Sequence, residues 1–197
     1  MTNTKRKWQP IDLAYAGMFA ALMAIGANLT SMITFGAIPL TMQTFFAIMA
    51  GALLGSRLGA TSMLVYMIVG LIGVPVFAGF SGGPGTIFSQ SFGFIISFIF
   101  VAYVTGKIIE AKPHPGLPRF FAACFVGLFL NYAIGTTIMY FALNFWVAGS
   151  EAVPYFTAWA FMLPFLPKDI LFTIIAAVIA PRIYQSVRKS SRYRTAA

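Results

Sequence analysis

Five stretches of 18 to 28 residues in this chain carry no charged side chain. They cover residues 13–35, 38–55, 58–77, 87–106 and 120–147. A sixth apolar stretch, 158–181, contains one charged pair, Lys168 and Asp169. A helix that crosses a bilayer needs about 20 predominantly apolar residues. The stretches therefore predict an all-α integral membrane protein with six transmembrane helices in a single membrane domain, residues 1–197.

The composition supports this class of protein and excludes others. Hydrophobic residues make up 59% of the chain and charged residues 9%, whereas soluble domains contain about 25% charged residues. These values exclude a soluble globular enzyme and a disordered regulator. The single cysteine, Cys124, excludes an intrachain disulfide framework. The sequence has no ATP-binding P-loop, metalloprotease or serine-hydrolase motif, so we expect no enzyme activity, metal site or cofactor.

The basic residues lie in alternate connections between the predicted helices. If six helices cross in turn, these residues share one side of the membrane and account for the net charge of +9. They are Lys5, Arg6, Lys7, Arg57, Lys107, Lys112, Arg119, Arg182, Arg188, Lys189, Arg192 and Arg194. The positive-inside rule then places both termini, the 107–119 loop and the basic 182–197 tail in the cytoplasm. The charge therefore indicates topology and contact with anionic lipid in the bilayer, and no nucleic acid is expected as a partner.

The pair Lys168–Asp169 is the one ionisable group predicted to lie at membrane depth. Asp169 precedes Arg182 by 13 residues, about 20 Å of helix, in a hydrocarbon core of about 30 Å. An ionisable residue at such depth indicates a functional site, and we favour that interpretation. The alternative is that Asp169 lies in the first turn of a helix that begins at the surface, where the helix dipole favours a carboxylate.

Two amide side chains are predicted at a similar height. Gln43 and Asn131 each lie 12 residues from the inner end of their span, about 18 Å along a helix. They can form one layer with Asp169. Such a layer either joins the helices through hydrogen bonds or lines a ligand pocket that opens to the outside, and the residues alone leave both alternatives open. Asn28 and Tyr66 are further polar candidates, for which a structural role is favoured.

The 78–85 loop contains four glycines and a proline, which exclude a regular helix. Its glycines, Gly79 among them, permit close approach of the backbone to a ligand, so the loop is either a lid or a plain connector. The free backbone N–H groups at the start of the fourth predicted helix, near Gly93, can receive an anion. Aromatic residues that can wall an apolar slot beside them are Phe77, Phe80, Phe88 and Phe92.

Small residues recur at helical spacing in two predicted helices. Ala16, Ala20 and Ala24 follow this pattern in the first helix, and Gly51, Gly55 and Gly59 follow it at the end of the second. Such faces allow helices to pack closely. They serve either internal packing or the docking of another membrane subunit.

Several motifs together closely resemble the BioY family, the biotin-specific substrate-binding (S) components of energy-coupling factor (ECF) transporters. They are PLTMQTFF at 39–46, AGALLG at 50–55, GLIGVPVFAG at 70–79, SGGPG at 81–85 and LPFLPKD at 163–169. The resemblance covers most of the chain. It implies a six-helix S-component fold that captures biotin with high affinity at the outer face for uptake across the cytoplasmic membrane.

The resemblance also implies partners. A transmembrane coupling subunit and two cytoplasmic ATPases, all separate chains, would drive uptake. In such systems the S component is thought to topple in the membrane to release its vitamin. Small residues of the first helix contact the coupling subunit, which suggests Ala16, Ala20 and Ala24 here.

Roles for the ligand-binding residues follow from the resemblance and the chemistry of biotin. Asp169 would accept hydrogen bonds from the ureido N–H groups, and Gln43 or Asn131 would serve the ureido carbonyl. Phe77, Phe92 or Tyr132 would pack on the rings. Lys168, or backbone N–H groups near residues 91–93, would take the carboxylate. The family often has a lysine three residues after the aspartate, whereas this chain has Phe172 there.

Three other functions stay open at this point. The chain could be an S component for another vitamin, a solitary biotin carrier without ATPase partners, or a small membrane scaffold without a substrate. The small-residue faces favour the scaffold, and the charged pair at depth together with the glycine-rich loop favour transport.

Overall fold

The computed structural model describes residues 9–35, 38–146 and 152–195, without the side chains of residues 35 and 187–195. The α-helices of this part are α1 (Pro10–Asn28), α2 (Gln43–Leu54), α3 (Ser56–Leu71), α4 (Phe92–Glu110), α5 (Leu117–Phe145), α6 (Tyr155–Ala160) and α7 (Leu166–Thr195). Two short strands, β1 (Thr34–Phe35) and β2 (Ile38–Pro39), pair antiparallel, and a 3₁₀ helix covers Pro84–Phe88. The helical character predicted from the sequence is confirmed.

Three of the described helices are long and apolar enough to cross a membrane by themselves: α1, α4 and α5. Helices α2 and α3 are apolar but shorter, with 12 and 16 residues. The number of six crossings stays a prediction.

The first and third helices end earlier than their apolar stretches. Helix α1 ends at Asn28 rather than at residue 35, and the Asn28 side chain donates to the Ala24 carbonyl at 3.0 Å as the chain turns toward β1. Helix α3 ends at Leu71 rather than at residue 77, just before Gly73 with a φ of 109°. Apolar composition does not reveal these ends, because the segments beyond them are apolar as well.

The other boundaries also move. Helix α4 is displaced toward the C-terminus relative to the predicted stretch 87–106, and the connection to α5 is only residues 111–116 rather than 107–119. The sixth stretch, 158–181, is divided into α6 and α7 by turns at 161–165, where Pro164 lies. Helix α7 continues past Pro181 through most of the predicted tail.

Close packing brings α2, α3 and α4 together at one end of the bundle. A Cβ atom at Gly51 would lie 2.3 Å from the Ala102 carbonyl oxygen, and one at Gly106 would lie 2.3 Å from the Ser56 nitrogen. Glycine is required at both positions because the backbones touch. The small residues of α2 therefore serve internal packing.

The same end holds a carboxylate that caps α3. One oxygen of Glu110 accepts from the Ser56 backbone nitrogen at 3.0 Å, and the other accepts from the Ser56 hydroxyl at 2.6 Å. Helix starts leave backbone N–H groups without intrahelical partners, which this carboxylate satisfies. We call the region of Gly51, Gly55, Ser56, Gly106 and Glu110 the closed end.

The alanine pattern of α1 faces the protein interior. Ala16 is only 2% exposed, and Ala20 and Ala24 are half-buried against the core. Ala16 is therefore the least exposed of the three in this structure, and its contact with a coupling subunit stays a prediction. Contact of Ala20 and Ala24 with a coupling subunit stays a prediction.

Candidate ligand-binding site

A cavity of about 320 Å³ lies at the opposite end of the bundle. The first turns of α2 and α7, the start of α4, the middle of α5 and the β2 strand line it, together with the 77–89 segment. Its volume is at the lower end of the range found for small-molecule pockets, about 300 to 1,000 Å³. We call this region the cavity end.

Six of the nine predicted ligand-binding residues line this cavity. They are Gln43, Phe77, Asn131, Tyr132, Lys168 and Asp169. The first turn of α7 carries both Lys168 and Asp169 to the cavity and places Asp169 beside Tyr132 of α5. Asp169 thus lies in the first turn of a helix and also lines the cavity. The interpretation as a helix-start residue and the interpretation as a functional residue are therefore compatible.

Asp169 is the centre of a buried polar cluster. Its Oδ1 lies 2.7 Å from the Lys168 ammonium nitrogen, and its Oδ2 accepts from the Tyr132 hydroxyl at 2.8 Å. Lys168 also donates to the backbone carbonyl of Thr41. A buried charge is tolerated only when it is paired and hydrogen-bonded, as both charges are here.

Phe172, which stands where the family often has lysine, lies outside the cavity lining. Its ring packs against Phe45 of α2, with centroids 5.8 Å apart. The cation at this cavity is therefore Lys168.

Asn131 joins three helices while lining the cavity. Its Oδ1 accepts from the Ser97 hydroxyl of α4 at 2.7 Å, and its Nδ2 donates to the Thr44 hydroxyl of α2 at 3.2 Å. No described residue accepts the second Nδ2 hydrogen. The amide therefore holds helices together and still has a donor for a ligand.

Gln43 has a different partner. Its Nε2 donates to the Tyr66 hydroxyl of α3 at 2.8 Å, and it makes no hydrogen bond to Asn131 or Asp169. The three residues of the predicted polar layer, Gln43, Asn131 and Asp169, all line the cavity, but each is hydrogen-bonded to different side chains.

The first half of the glycine-rich loop reaches the cavity. Phe77 is buried, packs edge-on against Tyr66 with centroids 5.4 Å apart, and forms an isolated β-bridge with Ser81. Ala78 and Ser81 line the cavity, whereas Gly79 does not. Phe80 and Phe88 are exposed.

Two further predicted residues, Phe92 and Gly93, are also not in the cavity lining. A Cβ atom at Gly93 would lie 2.5 Å from the Ile138 side chain, so Gly93 faces α5. Cavity residues on α4 are instead Phe94, Ile95 and Phe98, which the sequence reasoning missed. They lie three, four and seven residues after Ser91, which is the spacing of one helix face and could have identified them.

The polar groups at the start of α4 are mainly hydroxyls. The backbone nitrogens of Phe92 and Phe94 already donate to the carbonyls of Ser89 and Ser91. Thr86, Ser89 and Ser91 line the cavity there. Within the described residues, no group of three or more His, Cys, Asp or Glu side chains could hold a metal ion.

The chain is similar to proteins of one family over almost its whole length. Residues 1–189 match the profile of the BioY family. The Bacillus subtilis (strain 168) protein BioYB is 46% identical over 192 residues, which cover 96% of this chain and 95% of that protein. The biotin transporter BioY of Thermotoga maritima is 33% identical over 173 residues, covering 87% of this chain and 95% of that protein.

A solved structure shows the same fold. The crystal structure of the S-component for biotin from an ECF-type ABC transporter matches with a TM-score of 0.69 and 26% sequence identity. The match covers 94% of this chain and 95% of that chain. Because the family profile and the relatives span nearly the whole sequence, the chain belongs to the BioY family.

Proposed function

We propose that this chain is the biotin-binding S component of an ECF transporter, which captures biotin with high affinity at the outer face of the cytoplasmic membrane. The observation that carries the proposal is the cavity around Asp169, in a chain whose relatives include named biotin transporters. The chain acts as a transport subunit with no catalytic role and no cofactor, and biotin is its transported ligand.

The chemistry of the cavity suits the parts of biotin. The ureido ring has two N–H donors and one carbonyl, and Asp169 provides a charged acceptor while Asn131 provides the spare donor. Phe77, Phe94 and Phe98 supply apolar walls for the bicyclic ring. Lys168, or the hydroxyls at the start of α4, receives the carboxylate.

The proposed topology has six crossings, with α6 and α7 together making the last, and both termini in the cytoplasm. The described basic residues Arg57, Lys107, Lys112 and Arg119 lie near the closed end, away from the cavity. Lys5, Arg6, Lys7 and Glu151 lie outside the described residues. The positive-inside rule then places the closed end in the cytoplasm, so that the cavity opens outward.

Energy for uptake comes from separate chains in this proposal. A transmembrane coupling subunit and two cytoplasmic ATPases bind the S component in the bilayer. Support comes from the likeness to an S component of an ECF-type transporter.

Equilibrium binding of biotin to the purified chain in detergent tests the proposal, after bound biotin has been removed. Thiamin and riboflavin are the controls. Selective binding of biotin is the expected result. Selective binding of another vitamin, or no binding by a protein shown to be folded, would overturn it. Uptake assays with and without the ATPase subunits separate the ECF mechanism from a solitary carrier.

A further inference from the structure

Tyr66 is a buried residue of α3 that does not line the cavity but contacts a residue that does. Its hydroxyl oxygen accepts from Gln43 Nε2 at 2.8 Å and donates to the Val76 carbonyl oxygen at 3.0 Å. The side chain is only 1% exposed. On the side away from the cavity, Gln43 is therefore bonded to the Tyr66 hydroxyl, which is itself bonded to the Val76 carbonyl.

One hydrogen on the Tyr66 oxygen decides the orientation of the Gln43 amide. The Val76 carbonyl can only accept, so the tyrosine hydrogen points to it and the tyrosine lone pair receives Nε2. If the amide were turned over, its Oε1 and the Val76 carbonyl would both need this single hydrogen. One buried acceptor would then be left without a partner, which is unfavourable because a buried polar group loses its hydrogen bonds to water.

The fixed amide presents its oxygen to the cavity. Among the described residues, the enclosed side-chain N or O atoms without a hydrogen-bond partner are the hydroxyls of Thr136 and Thr173. The Oε1 of Gln43 has no partner in the described part of the chain and is not one of these enclosed atoms. Since Gln43 is only 6% exposed and lines the cavity, the accessible surface of Oε1 faces the cavity.

We infer that Tyr66 is a positioning residue that fixes Gln43 as a hydrogen-bond acceptor and so selects a ligand that offers an N–H group at this wall. The inference rests on the proposed function, in which that group is a ureido N–H of biotin. It revises the expectation that Gln43 serves the ureido carbonyl, and it leaves the carbonyl to Asn131. The cavity then matches a cyclic urea, with Gln43 and Asp169 as acceptors and Asn131 as donor.

The Val76 carbonyl, which accepts from Tyr66, is itself fixed by further hydrogen bonds. The Val76 carbonyl accepts a second, longer hydrogen bond from Asn28 Nδ2 at 3.4 Å, and Asn28 Oδ1 accepts from the Phe80 backbone nitrogen at 2.7 Å. A continuous series of hydrogen bonds thus runs from the cavity wall to the glycine-rich loop. Because Asn28 and Tyr66 both donate to the Val76 carbonyl, this carbonyl is fixed in position as the acceptor of the Tyr66 hydrogen.

A double-mutant cycle tests the inference, with biotin affinity of the full chain in detergent as the readout. Tyr66→Phe keeps the ring and removes the hydroxyl, and we expect biotin to bind about tenfold more weakly. Gln43→Leu removes the acceptor itself and should weaken binding at least as much. If Tyr66 acts through Gln43, the double variant binds biotin within about twofold of Gln43→Leu alone.

Independent losses that multiply in the double variant would overturn the inference, since Tyr66 would then act through Val76 or through the fold. An unchanged affinity in Tyr66→Phe would also overturn it. Tyr184→Phe, which removes the hydroxyl of another buried tyrosine that does not line the cavity, is the matched control and should leave affinity unchanged. Thermal unfolding confirms that each variant is folded. Failure of the unsubstituted chain to bind biotin would instead contradict the proposed function.

Discussion

The two ends of the helix bundle use polar residues in opposite ways. At the closed end, both oxygens of Glu110 are occupied by the backbone nitrogen and hydroxyl of Ser56, and the glycines let backbones touch. At the cavity end, Gln43 bonds to one side chain and Asn131 to two, and each keeps a further polar group without a partner among the described residues. The comparison separates residues that stabilise the fold from residues that are available to a ligand.

The difference also explains where close packing stops. Gly51 and Gly106 bring α4 against α2 and α3 with no room for a side chain. Toward the other end of these helices, Phe94, Phe98 and Phe77 separate the elements and surround the cavity. Exchanges at the closed end should therefore change stability and leave affinity unchanged, whereas exchange of Asp169 at the cavity end should change affinity.

The largest expected effect is on stability at the closed end. In Gly51→Val the new side chain would overlap the Ala102 carbonyl, where even a Cβ atom would lie 2.3 Å away. We expect a loss of about 3 kcal/mol in the free energy of unfolding, measured by denaturation in detergent. Biotin affinity of the fraction that remains folded should be unchanged.

Gly17→Ala is the matched control for that variant. Gly17 is an exposed position of α1, and a Cβ atom there would have no neighbour within 4 Å. Alanine should stabilise this helix by about 0.5 to 1 kcal/mol. Equal destabilisation of the two variants would show that the contact with Ala102 is not what requires glycine.

The next effect concerns the cavity end. Asp169→Asn keeps the shape of the side chain but removes the charge that pairs with Lys168 and the second acceptor oxygen. We expect biotin affinity to fall about 30-fold, because hydrogen bonds to a charged group are stronger than neutral ones. Titration calorimetry measures the change, and insertion into the membrane should be unaffected. An unchanged affinity would remove Asp169 from the site.

The smallest effect is expected for the carboxylate at the closed end. Glu110→Gln leaves one oxygen that can accept from Ser56 and replaces the other with a donor. Because Glu110 is exposed, we expect a loss of only about 1 kcal/mol in stability. Biotin affinity should stay the same, and a fall as large as that of Asp169→Asn would contradict the division between the two ends.

The sequence predicted the apolar helices and the principal polar residues, because both depend on composition along a single segment. Gln43, Asn131 and Asp169 were found from their depth in apolar stretches. The end of α1 at Asn28 was missed, since the following residues are as apolar as a helix interior. Phe92 and Gly93 lie outside the cavity lining, because the direction of a side chain depends on the residue at which α4 begins.

Contacts between residues on different helices could not be predicted from the sequence. Tyr66 was noted as a polar residue of a span, but nothing in the sequence pairs it with Gln43, which lies 23 residues away on another helix. Likewise, the contact of Lys168 with the Thr41 carbonyl depends on how α7 packs on α2. When the role of a residue depends on contacts with distant helices, it can be assigned only from the three-dimensional structure.

The pairing of Lys168 with Asp169 has an electrical consequence. The two charges cancel, so the pair adds no net charge to the wall of the empty cavity. A bound carboxylate ligand adds one negative charge. Moving that charge into a cell whose interior is negative costs about 2.3 kcal/mol for each 100 mV of membrane potential. In the proposed transport cycle, the membrane voltage therefore opposes the inward movement of the bound ligand, and the Lys168–Asp169 pair adds nothing to that cost.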